Sequence, residues 1–507
     1  LDSRELAVAK KKNQCYPLIR LLFIVCMMKV ALAQDKTGCI EGNCRDGVGT
    51  YLYDYGAKYN GEFKEGKKHG TGTYWFDNGD TYEGGYANGL KHGSGIYVFK
   101  DGRKYVGMYK NGRRHGKGKF TDPDGRKYDG DYKNGKEDGQ GEVTLSSGEV
   151  YSGGMQGGKY HGSGKCTFAN GDIFEGSFLS GFPHGDGTYN YANGDTYTGE
   201  MEKNEKHGSG VYVFANGDRY EGEYAGDTRH GTGTFLYTSG DRYEGEYAGD
   251  LRHGKGTFVF ASGDHYEGGF LGDEYHGMGK YLYANGDQYS GRFEHGKKIG
   301  KASLRYSDGA VYMGEFMNDK KHGQGTIFYP SGDKYVGQFQ DGLYHGSGKL
   351  NYANGDTYEG EFAEGLQNGQ GTFIKPKGEQ YEGEFKDGMY NGTGVIIFPN
   401  NDRYEGEFTA GKRTGFATLT NSFDEKYTGQ FVNAIRQGFG SYFWPGGDKY
   451  TGEWDNNMRN GYGILKKEGQ DSESGMWFNG KLEKPEENSA VIDILKNKYP
   501  DIDLLDD

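Results

Sequence analysis

Residues 220–242 read Tyr220-Glu-Gly-Glu-Tyr-Ala-Gly-Asp-Thr-Arg-His-Gly-Thr-Gly-Thr-Phe-Leu-Tyr-Thr-Ser-Gly-Asp-Arg242. Tyr220, Gly222 and Tyr224 alternate with glutamates, which is the period of two expected of a strand with one packed face and one wet face. A second alternating run carries Phe235 and Tyr237 on one side. Ser-Gly-Asp then closes the stretch with residues that tolerate the positive φ of a tight turn. The stretch therefore predicts a β-hairpin.

The same pattern recurs along the chain every 23 residues, and no insertion interrupts it. Strands of about five residues are too short to build a core alone, so stability must come from stacking of neighbouring hairpins. Worn copies precede and follow the series, as the terminal units of a stacked array do. The residues that open the 18 full copies are Tyr59, Tyr82, Tyr105, Tyr128, Tyr151, Phe174, Tyr197, Tyr220, Tyr243, Tyr266, Tyr289, Tyr312, Tyr335, Tyr358, Tyr381, Tyr404, Tyr427 and Tyr450.

One copy shows the motif intact, as Tyr335-Val-Gly-Gln-Phe-Gln-Asp-Gly-Leu-Tyr-His-Gly-Ser-Gly348. This motif resembles the MORN (membrane occupation and recognition nexus) repeat, and the resemblance covers roughly residues 36–480. It implies an all-β fold, an elongated antiparallel single-layer meander of stacked 23-residue β-hairpins. It also implies a scaffold, a protein that binds partner helices in an aromatic groove, or a membrane-associated protein. The segment from Cys39 to Gly49 is similar to the opening unit of exported bacterial MORN proteins.

The pattern divides the chain into five segments. A signal peptide is predicted at 1–33, and a partial repeat that caps the array at 34–58. The tandem array of 18 repeats should span 59–472, and a second partial repeat should close it at 473–480. Residues 481–507 should form a short helix and an acidic tail.

The last segment differs from the array in character. Ser489 is expected to cap a short helix in which Val491, Ile494, Leu495 and Lys498 share a face, before a proline ends it. Residues 501–505 then read Asp-Ile-Asp-Leu-Leu, an acidic and apolar peptide. The tail either docks on the end of the array or recruits a partner.

The N-terminus carries the features of a secretory signal peptide. Basic residues at positions 10–12 and 20 precede an apolar run over 21–33, which ends in Ala31-Leu32-Ala33. This order predicts cleavage after Ala33 and a secreted, periplasmic or cell-surface protein. A start at Met27 or Met28 would instead leave the protein in the cytoplasm.

Three cysteines would remain after cleavage. Cys39 and Cys44 lie five residues apart, so a small local disulfide is predicted if the compartment is oxidising. Cys166 would then be left unpaired. Two separate thiols at positions 39 and 44 remain the alternative.

The net charge of the chain is −13, and an acidic surface argues against general affinity for nucleic acid. One segment departs from this balance, because eleven basic side chains between positions 101 and 136 face five acidic ones, a local charge of +6. A solvated strand face and a contact with anionic lipid are both open interpretations. The side chains singled out for the anion or lipid contact are Lys104, Lys110, Arg113, Arg114, Lys117, Lys119, Arg126 and Lys127.

Two recurring polar patterns do not meet the geometry of a catalytic or metal site. Eleven of the 13 histidines occupy one phase of the repeat, but stacked hairpins hold equivalent atoms about 10 Å apart, whereas the ligands of one metal ion lie about 3 Å apart. A turn-positioning role is expected for them, with a pH-sensing surface as the alternative. Paired glutamates such as Glu221 and Glu223 predict a solvated strand face, since glycoside hydrolysis needs two carboxylates in different environments. The chain is therefore predicted not to be an enzyme and to hold no metal or other cofactor.

The sequence predicts a non-catalytic scaffold that presents an extended, aromatic-lined β surface to protein partners. Peripheral membrane association through the basic segment 101–136 is the alternative, and a homo-oligomer stays open. The aromatic ladder residues predicted to contact the partner lie in the most regular stretch and are Tyr197, Tyr220, Tyr224, Tyr243, Tyr247, Tyr266 and Phe270.

Overall fold

A computed structural model describes residues 37–500, which form two units, 37–146 and 147–500. In each unit the strands pair antiparallel with their neighbours in sequence order, and one helix follows the last strand of the second unit. The predicted all-β antiparallel meander is confirmed. The predicted signal peptide at 1–33 and the tail beyond residue 500 lie outside the described residues.

The first unit contains the partial repeat and the first copies of the motif. Each hairpin of a full copy joins a seven-residue strand to a nine-residue strand. The ten strands are β1 (Gly38–Gly42), β2 (Gly47–Leu52), β3 (Lys58–Lys64), β4 (Lys67–Trp75), β5 (Thr81–Ala87), β6 (Leu90–Val98), β7 (Lys104–Lys110), β8 (Arg113–Thr121), β9 (Lys127–Lys133) and β10 (Lys136–Thr144).

The second unit repeats the same hairpin and ends in two shorter strands and a helix. Its elements are β11 (Val150–Gln156), β12 (Lys159–Thr167), β13 (Ile173–Leu179), β14 (Phe182–Asn190), β15 (Thr196–Glu202), β16 (Glu205–Val213), β17 (Arg219–Ala225), β18 (Thr228–Leu236), β19 (Arg242–Ala248), β20 (Leu251–Val259), β21 (His265–Leu271), β22 (Glu274–Leu282), β23 (Gln288–Glu294), β24 (Lys297–Arg305), β25 (Val311–Met317), β26 (Lys320–Phe328), β27 (Lys334–Gln340), β28 (Leu343–Asn351), β29 (Thr357–Ala363), β30 (Leu366–Ile374), β31 (Gln380–Lys386), β32 (Met389–Ile397), β33 (Arg403–Thr409), β34 (Lys412–Thr420), β35 (Lys426–Val432), β36 (Ile435–Phe443), β37 (Lys449–Asp455), β38 (Met458–Lys466), β39 (Glu473–Phe478), β40 (Lys481–Pro485) and α1 (Asn488–Lys498).

Two different turns alternate along the array. The tight turn places two residues at positive φ, as at Glu65 (49°) and Gly66 (71°), which is the type I′ geometry that matches the twist of paired strands. The wider turn runs from Phe76 to Asp80, where the Gly79 N–H donates to the Phe76 carbonyl (3.1 Å) and the Phe76 N–H donates to the Asp80 carbonyl (2.9 Å). The Asn-Gly-Asp motif therefore forms the wider turn, and a two-residue sequence forms the tight one.

The strands have seven and nine residues, longer than the predicted five, and a β-bulge accommodates the two surplus residues of the second strand. In β17 and β18 Gly222 faces Gly233, but the next residue, Glu223, faces His230. Gly231 and Thr232 are left over in the longer strand, which is the surplus that defines a bulge. The same bulge recurs in other copies, as in β19–β20 and β25–β26.

One face of the sheet, here called the tyrosine face, buries the residue that opens each copy. Tyr220 is fully buried although the sheet is a single layer. Its ring lies over Gly233, where an added Cβ would come within 2.6 Å of the ring carbons, and its hydroxyl donates to the Glu223 carbonyl (3.1 Å). Burial raises the pKa of Tyr220 to about 12. The glycine of the motif is thus required because the ring occupies the place of its side chain.

Rings of neighbouring copies pack against one another on the tyrosine face. Tyr220 meets Tyr224 of its own copy edge to face at 5.3 Å, and Tyr247 of the next copy at 5.2 Å. The Arg229 guanidinium covers the same ring at 5.6 Å. Because edge-to-face aromatic pairs contribute beyond their buried area, these contacts couple each hairpin to the next.

Aspartates of the wider turns add a second link between copies. The Asp195 carboxylate accepts from the Ala215 N–H (2.7 Å) and from the Tyr212 hydroxyl (2.6 Å), both in the next copy. These bonds lower the pKa of Asp195, and the Tyr212 hydroxyl contributes most. The opposite side of the sheet, here called the open face, carries the alternate side chains, such as Glu221 and Thr234.

Candidate interaction surface

The predicted aromatic ladder lies in the core and not on an accessible surface. All seven residues have at most 5% of their surface exposed. The reason is geometric, because the ring of each opening residue lies flat over glycines and is covered by rings of the next copy. The residues corrected in this way from partner contacts to core are Tyr197, Tyr220, Tyr224, Tyr243, Tyr247, Tyr266 and Phe270.

The glutamate pairs divide into two roles. Glu221 is exposed on the open face, as predicted for a solvated strand face. The Glu223 carboxylate instead accepts from the Thr232 N–H (2.9 Å) and the Thr232 hydroxyl (2.7 Å). These two bonds hold the pKa of the Glu223 carboxyl below its usual range. The second glutamate therefore satisfies the backbone of the bulge.

The open face forms shallow grooves whose lining differs along the chain. In the first unit the groove is lined by four aliphatic or thioether side chains and by polar ones that include two glutamates; these are Val48, Ile96, Val106, Met108, Glu62 and Glu83. In the second unit a groove of about 820 Å³ is lined mainly by threonines, glutamates and glycines of β15–β19. One backbone pattern thus presents more aliphatic side chains in one groove and mainly acidic and hydroxyl side chains in the other.

One part of the open face is covered by the helix α1. Val491 and Leu495 are fully buried against Phe439, which is also fully buried. Tyr462 and Ile464 complete the apolar contact. The helix therefore lies across the open face of β36–β38 and not on the tyrosine face.

A buried glutamate fixes the C-terminal end of α1. Glu453, which is 7% exposed, accepts from the Lys498 ammonium and from the Tyr499 hydroxyl (2.8 Å). Its other oxygen accepts from the Tyr462 N–H (2.9 Å), which is the bulge contact described above. Burial would by itself raise the pKa of Glu453, but the bonds from Lys498, the Tyr462 N–H and Tyr499 outweigh it and lower the pKa.

The helix begins earlier than the sequence suggested. Ser489 lies inside α1 and not at its cap, since Glu487 occupies the cap position and makes no side-chain capping bond. The Glu486 N–H and carbonyl are instead held by Ser474 of β39. A strand residue therefore positions the start of the helix.

The sequence does carry a signal for this docking site. The middle residue of each Gly-x-Gly in the longer strand points to the open face, and it is polar or ionic in most copies. It is aromatic in the last three copies, at Phe416, Phe439 and Tyr462, and in the first of these Ala417 replaces the second glycine. Two of these three residues contact α1. An aromatic side chain at this phase therefore distinguishes the docking segment from the rest of the array.

The family profile of the MORN repeat matches 18 consecutive segments of the chain. The chain belongs to the MORN repeat family. The matched segments are 59–81, 82–102, 105–125, 128–150, 151–173, 174–196, 197–219, 220–242, 243–265, 266–288, 289–311, 312–334, 335–357, 358–380, 381–403, 404–422, 427–449 and 450–470.

Comparison with known proteins adds little beyond the family. No curated protein matches the MORN chain. Among solved structures, the TCP10 domain of Danio rerio CPAP in complex with a STIL peptide is 14% identical, over 48% of this chain and 92% of that one, with a TM-score of 0.17. A streptogramin B lyase is 13% identical, over 69% and 95%, with a TM-score of 0.11. Values this low carry no functional argument.

Several basic side chains of the MORN array that are predicted to contact an anion or lipid form ion pairs within the array. Lys117 pairs with Asp131 (3.0 Å) and Lys119 with Asp129 (2.7 Å). Arg126 pairs with Glu137 (2.8 Å), and Arg114 stacks over rings of the tyrosine face. The residues of the set that are exposed and have no ion pair described above are Lys104, Lys110, Arg113 and Lys127.

The histidines of the MORN motif lie inside the longer strand and not in a turn. His230 faces Glu223 at the bulge, two residues after the strand begins. The predicted turn-positioning role is therefore corrected to a position at the bulge. Within residues 37–500, no cluster of three or more His, Cys, Asp or Glu side chains has the arrangement of a metal site.

The cysteines and the helix complete the description of the predicted features. A disulfide joins Cys39 to Cys44, whose Cα atoms are 5.9 Å apart. Cys166 is a free, buried thiol on the tyrosine face, and burial raises its pKa to about 12. Across the described part of the chain, no helix has the length and apolar character needed to cross a bilayer.

Proposed function

We propose that this MORN protein is a non-catalytic scaffold that binds protein partners along its open face. The array is a repeat structure of the binding and scaffold type. The main observation in support of the proposal is the docking position of α1. This helix already packs on the open face through Phe439 and Glu453. The opening rings of the tyrosine face are buried and leave almost none of their surface for a partner, which also favours the open face.

The open face also offers exposed side chains in both units. Met108 is 42% exposed and Met278 is 68% exposed, and both lie at open-face positions of their strands. Because equivalent side chains recur about every 10 Å along stacked hairpins, one partner could engage several copies, or several partners could bind side by side. That is the property a scaffold requires.

Site-specific photo-crosslinking in a native extract tests the proposal. A photoreactive amino acid replaces Met108 or Met278 on the open face in the full-length chain. Matched controls replace Leu90 (50% exposed) and Leu251 (46% exposed), which lie beside the tight turns of the same units. We expect the same protein partner to be captured from the two open-face positions and not from the two turn positions.

The set of positions that gives crosslinks distinguishes between the possible contact surfaces. Capture only from Leu90 or Leu251 would contradict the open-face assignment. Absence of any crosslinked protein in the extract would contradict the scaffold proposal itself. A crosslink to the chain's own sequence in a second molecule would identify the partner as another copy.

Association with anionic lipid is the second candidate function. The observation in its favour is the group of exposed cations Lys104, Lys110, Arg113 and Lys127 within a segment of net positive charge. Flotation with phosphatidylserine vesicles should recover the chain at low salt and lose it at high salt, since charge-driven binding is screened. Changing these four residues to glutamate should abolish flotation, and equal flotation of the variant would reject the candidate.

Export is proposed for the compartment. It is supported by the order of basic, apolar and small residues over 10–33 and by the bond between Cys39 and Cys44, because disulfides persist in oxidising compartments. Mass spectrometry of the native protein should find a new N-terminus at Gln34 and no free thiol at positions 39 and 44. An intact Met27 or Met28 start with both thiols free would contradict export.

A further inference from the structure

Three side chains on one side of the helix α1 contact the open face. Val491 and Leu495, four residues apart, are buried on Phe439, and Lys498, seven residues after Val491, bonds Glu453. Residues at i, i+4 and i+7 share one face of a helix. The open face of β36–β38 therefore recognises a helix by two aliphatic side chains and one cation.

Few contacts keep α1 docked on the open face. The helix has eleven residues, its cap residue Glu487 makes no side-chain capping bond, and only Val491 and Leu495 are fully buried. Helices of this length are marginal in water, so α1 depends on its docking for order. Its attachment to β40 is short, which places it close to its site at high effective concentration. The contact is thus favoured by tethering more than by its size.

The recognition surface extends beyond what α1 covers. α1 starts beside Ser474 of β39, and the Tyr499 ring packs at a tilt against Phe439 of β36, with the ring centroids 5.1 Å apart. Pro500 follows at once. The next aromatic residue of the same phase, Phe416 on β34, is 38% exposed. It lies about two strands, or about 10 Å, further along, a distance that about seven residues of helix would span.

We propose that the open face from β34 to β38 is a helix-binding site that α1 occupies in cis, and that a partner helix displaces α1 there. The partner carries aliphatic residues at i and i+4, a basic residue at i+7, and a further apolar residue about two turns on that packs on Phe416. This inference rests on the proposed function and names the partner class for one part of the open face. The contact with Phe416, which α1 lacks, favours the partner.

A full-length variant with α1 released provides the test. Val491→Asp with Leu495→Asp places two charges in the apolar contact and should free the open face while the array stays folded. The matched control, Asp493→Ser with Asn497→Ser, changes two exposed residues of α1 and should leave it docked. The probe is a fluorescein-labelled peptide with the sequence of residues 487–499.

Fluorescence anisotropy should rise when the peptide meets the released variant. We expect at least about tenfold weaker binding to the wild type and to the matched control, because tethered α1 competes. Equal binding to all three chains, or none to the released variant with an unchanged circular dichroism spectrum, would overturn the proposal. A peptide with Asp at both aliphatic positions should not bind.

A longer peptide tests the extension toward Phe416. Seven residues are added after position 499, with alanine in place of Pro500 and a leucine near the end. The released variant should bind it about tenfold more tightly than the short peptide, in line with one further buried apolar contact. Phe416→Ser should remove this gain and leave short-peptide binding unchanged, and a gain that survives the substitution would refute the extended site.

A substitution at Glu453 tests independently whether the Lys498 cation of the helix contributes to binding. Glu453→Gln in the released variant should weaken peptide binding about tenfold, as expected for loss of a partly buried charge-assisted bond. Unchanged binding would refute the role of the cation. Thermal unfolding of the same variants should be unchanged, which checks that the array remains folded.

Other occupants give different results. Dimerisation of the released variant that excludes the peptide would assign the face to a second copy and overturn the proposal. Wild-type binding that appears only after Ile502, Leu504 and Leu505 are changed to serine would assign the Phe416 end to the chain's own tail, also against the proposal. Failure here together with capture from Met108 and Met278 would leave the proposed function standing.

Discussion

Two stretches of the open face within the second unit have the same backbone arrangement, but only one of them is covered by a helix. At β16–β18 the middle residues of Gly-x-Gly are Ser209 and Thr232, both exposed. At β36–β38 they are Phe439 and Tyr462, and α1 lies over them. The stretches also differ two residues later, where Ile464 stands in place of Thr234. A few open-face side chains thus distinguish a docking surface from an uncovered one on the same fold.

The glutamate of the bulge makes the comparison sharper. Glu223 and Glu453 stand three residues after the opening tyrosine of their copies, and each accepts from the N–H of the middle residue. Glu223 is exposed, whereas Glu453 is buried and also binds Lys498 and Tyr499. A carboxylate whose first role is structural thus gains a recognition role where a ligand covers it.

The largest expected effect is common to both stretches, because their tyrosine faces are alike. Tyr220→Ala and Tyr450→Ala each remove a fully buried ring and should destabilise the surrounding copies by about 3–5 kcal/mol. Hydrogen exchange should show the loss of protection in the mutated copy and its neighbours. A small effect of Tyr220→Ala would mean that its ring is not part of the core.

The next effect separates the two stretches. Phe439→Ser should weaken the docking of α1 by about 3 kcal/mol, through loss of its main apolar contact. Thr232→Ser, a change on the uncovered stretch, should alter local stability by less than about 0.5 kcal/mol. Hydrogen exchange of residues 489–499 measures the first change. Equal protection of α1 in the wild type and in Phe439→Ser would show that another contact holds the helix.

The pH dependence gives a smaller effect that again distinguishes the stretches. The pKa of Glu453 is lowered in the folded protein, so its contribution is present above the ordinary glutamate pKa and is lost as the pH falls through the lowered value. We expect α1 to lose protection on acidification below about pH 4.5. The Glu453→Gln variant should show weaker docking and a flatter pH profile, and an unchanged profile would assign the pH dependence to other carboxylates.

Much of the fold is predictable because the same hairpin pattern recurs in every copy of the repeat. The alternation around Tyr220 indicates strands, and the 23-residue period indicates stacked hairpins. The role of the tyrosine is harder to infer, since an aromatic row in a single-layer sheet suggests an accessible surface. Its burial follows from Gly233, whose missing side chain leaves room for the ring, and this depends on the register between strands.

The site is less predictable than the fold for a related reason. The apolar face of Val491 and Leu495 predicts that the last segment packs on something, but the target is set by the surface beneath it. That surface is visible only when Phe439 and Tyr462 are compared with equivalent positions such as Ser209. The predicted cap at Ser489 is wrong, because Ser474 of β39, and not a side chain of the helical segment itself, holds Glu486 at the start of the helix.

Transfer of the docking surface tests the central claim most directly. In the Val491→Asp, Leu495→Asp chain, Ser209→Phe, Thr232→Tyr and Thr234→Ile give β16–β18 the residues that α1 contacts on β36–β38. Titration calorimetry with the peptide of residues 487–499 should then find two binding sites per chain, against one for the chain without the transfer. A stoichiometry of one in both chains would contradict the claim that these open-face side chains, the middle residues of Gly-x-Gly above all, decide where the open face binds a helix.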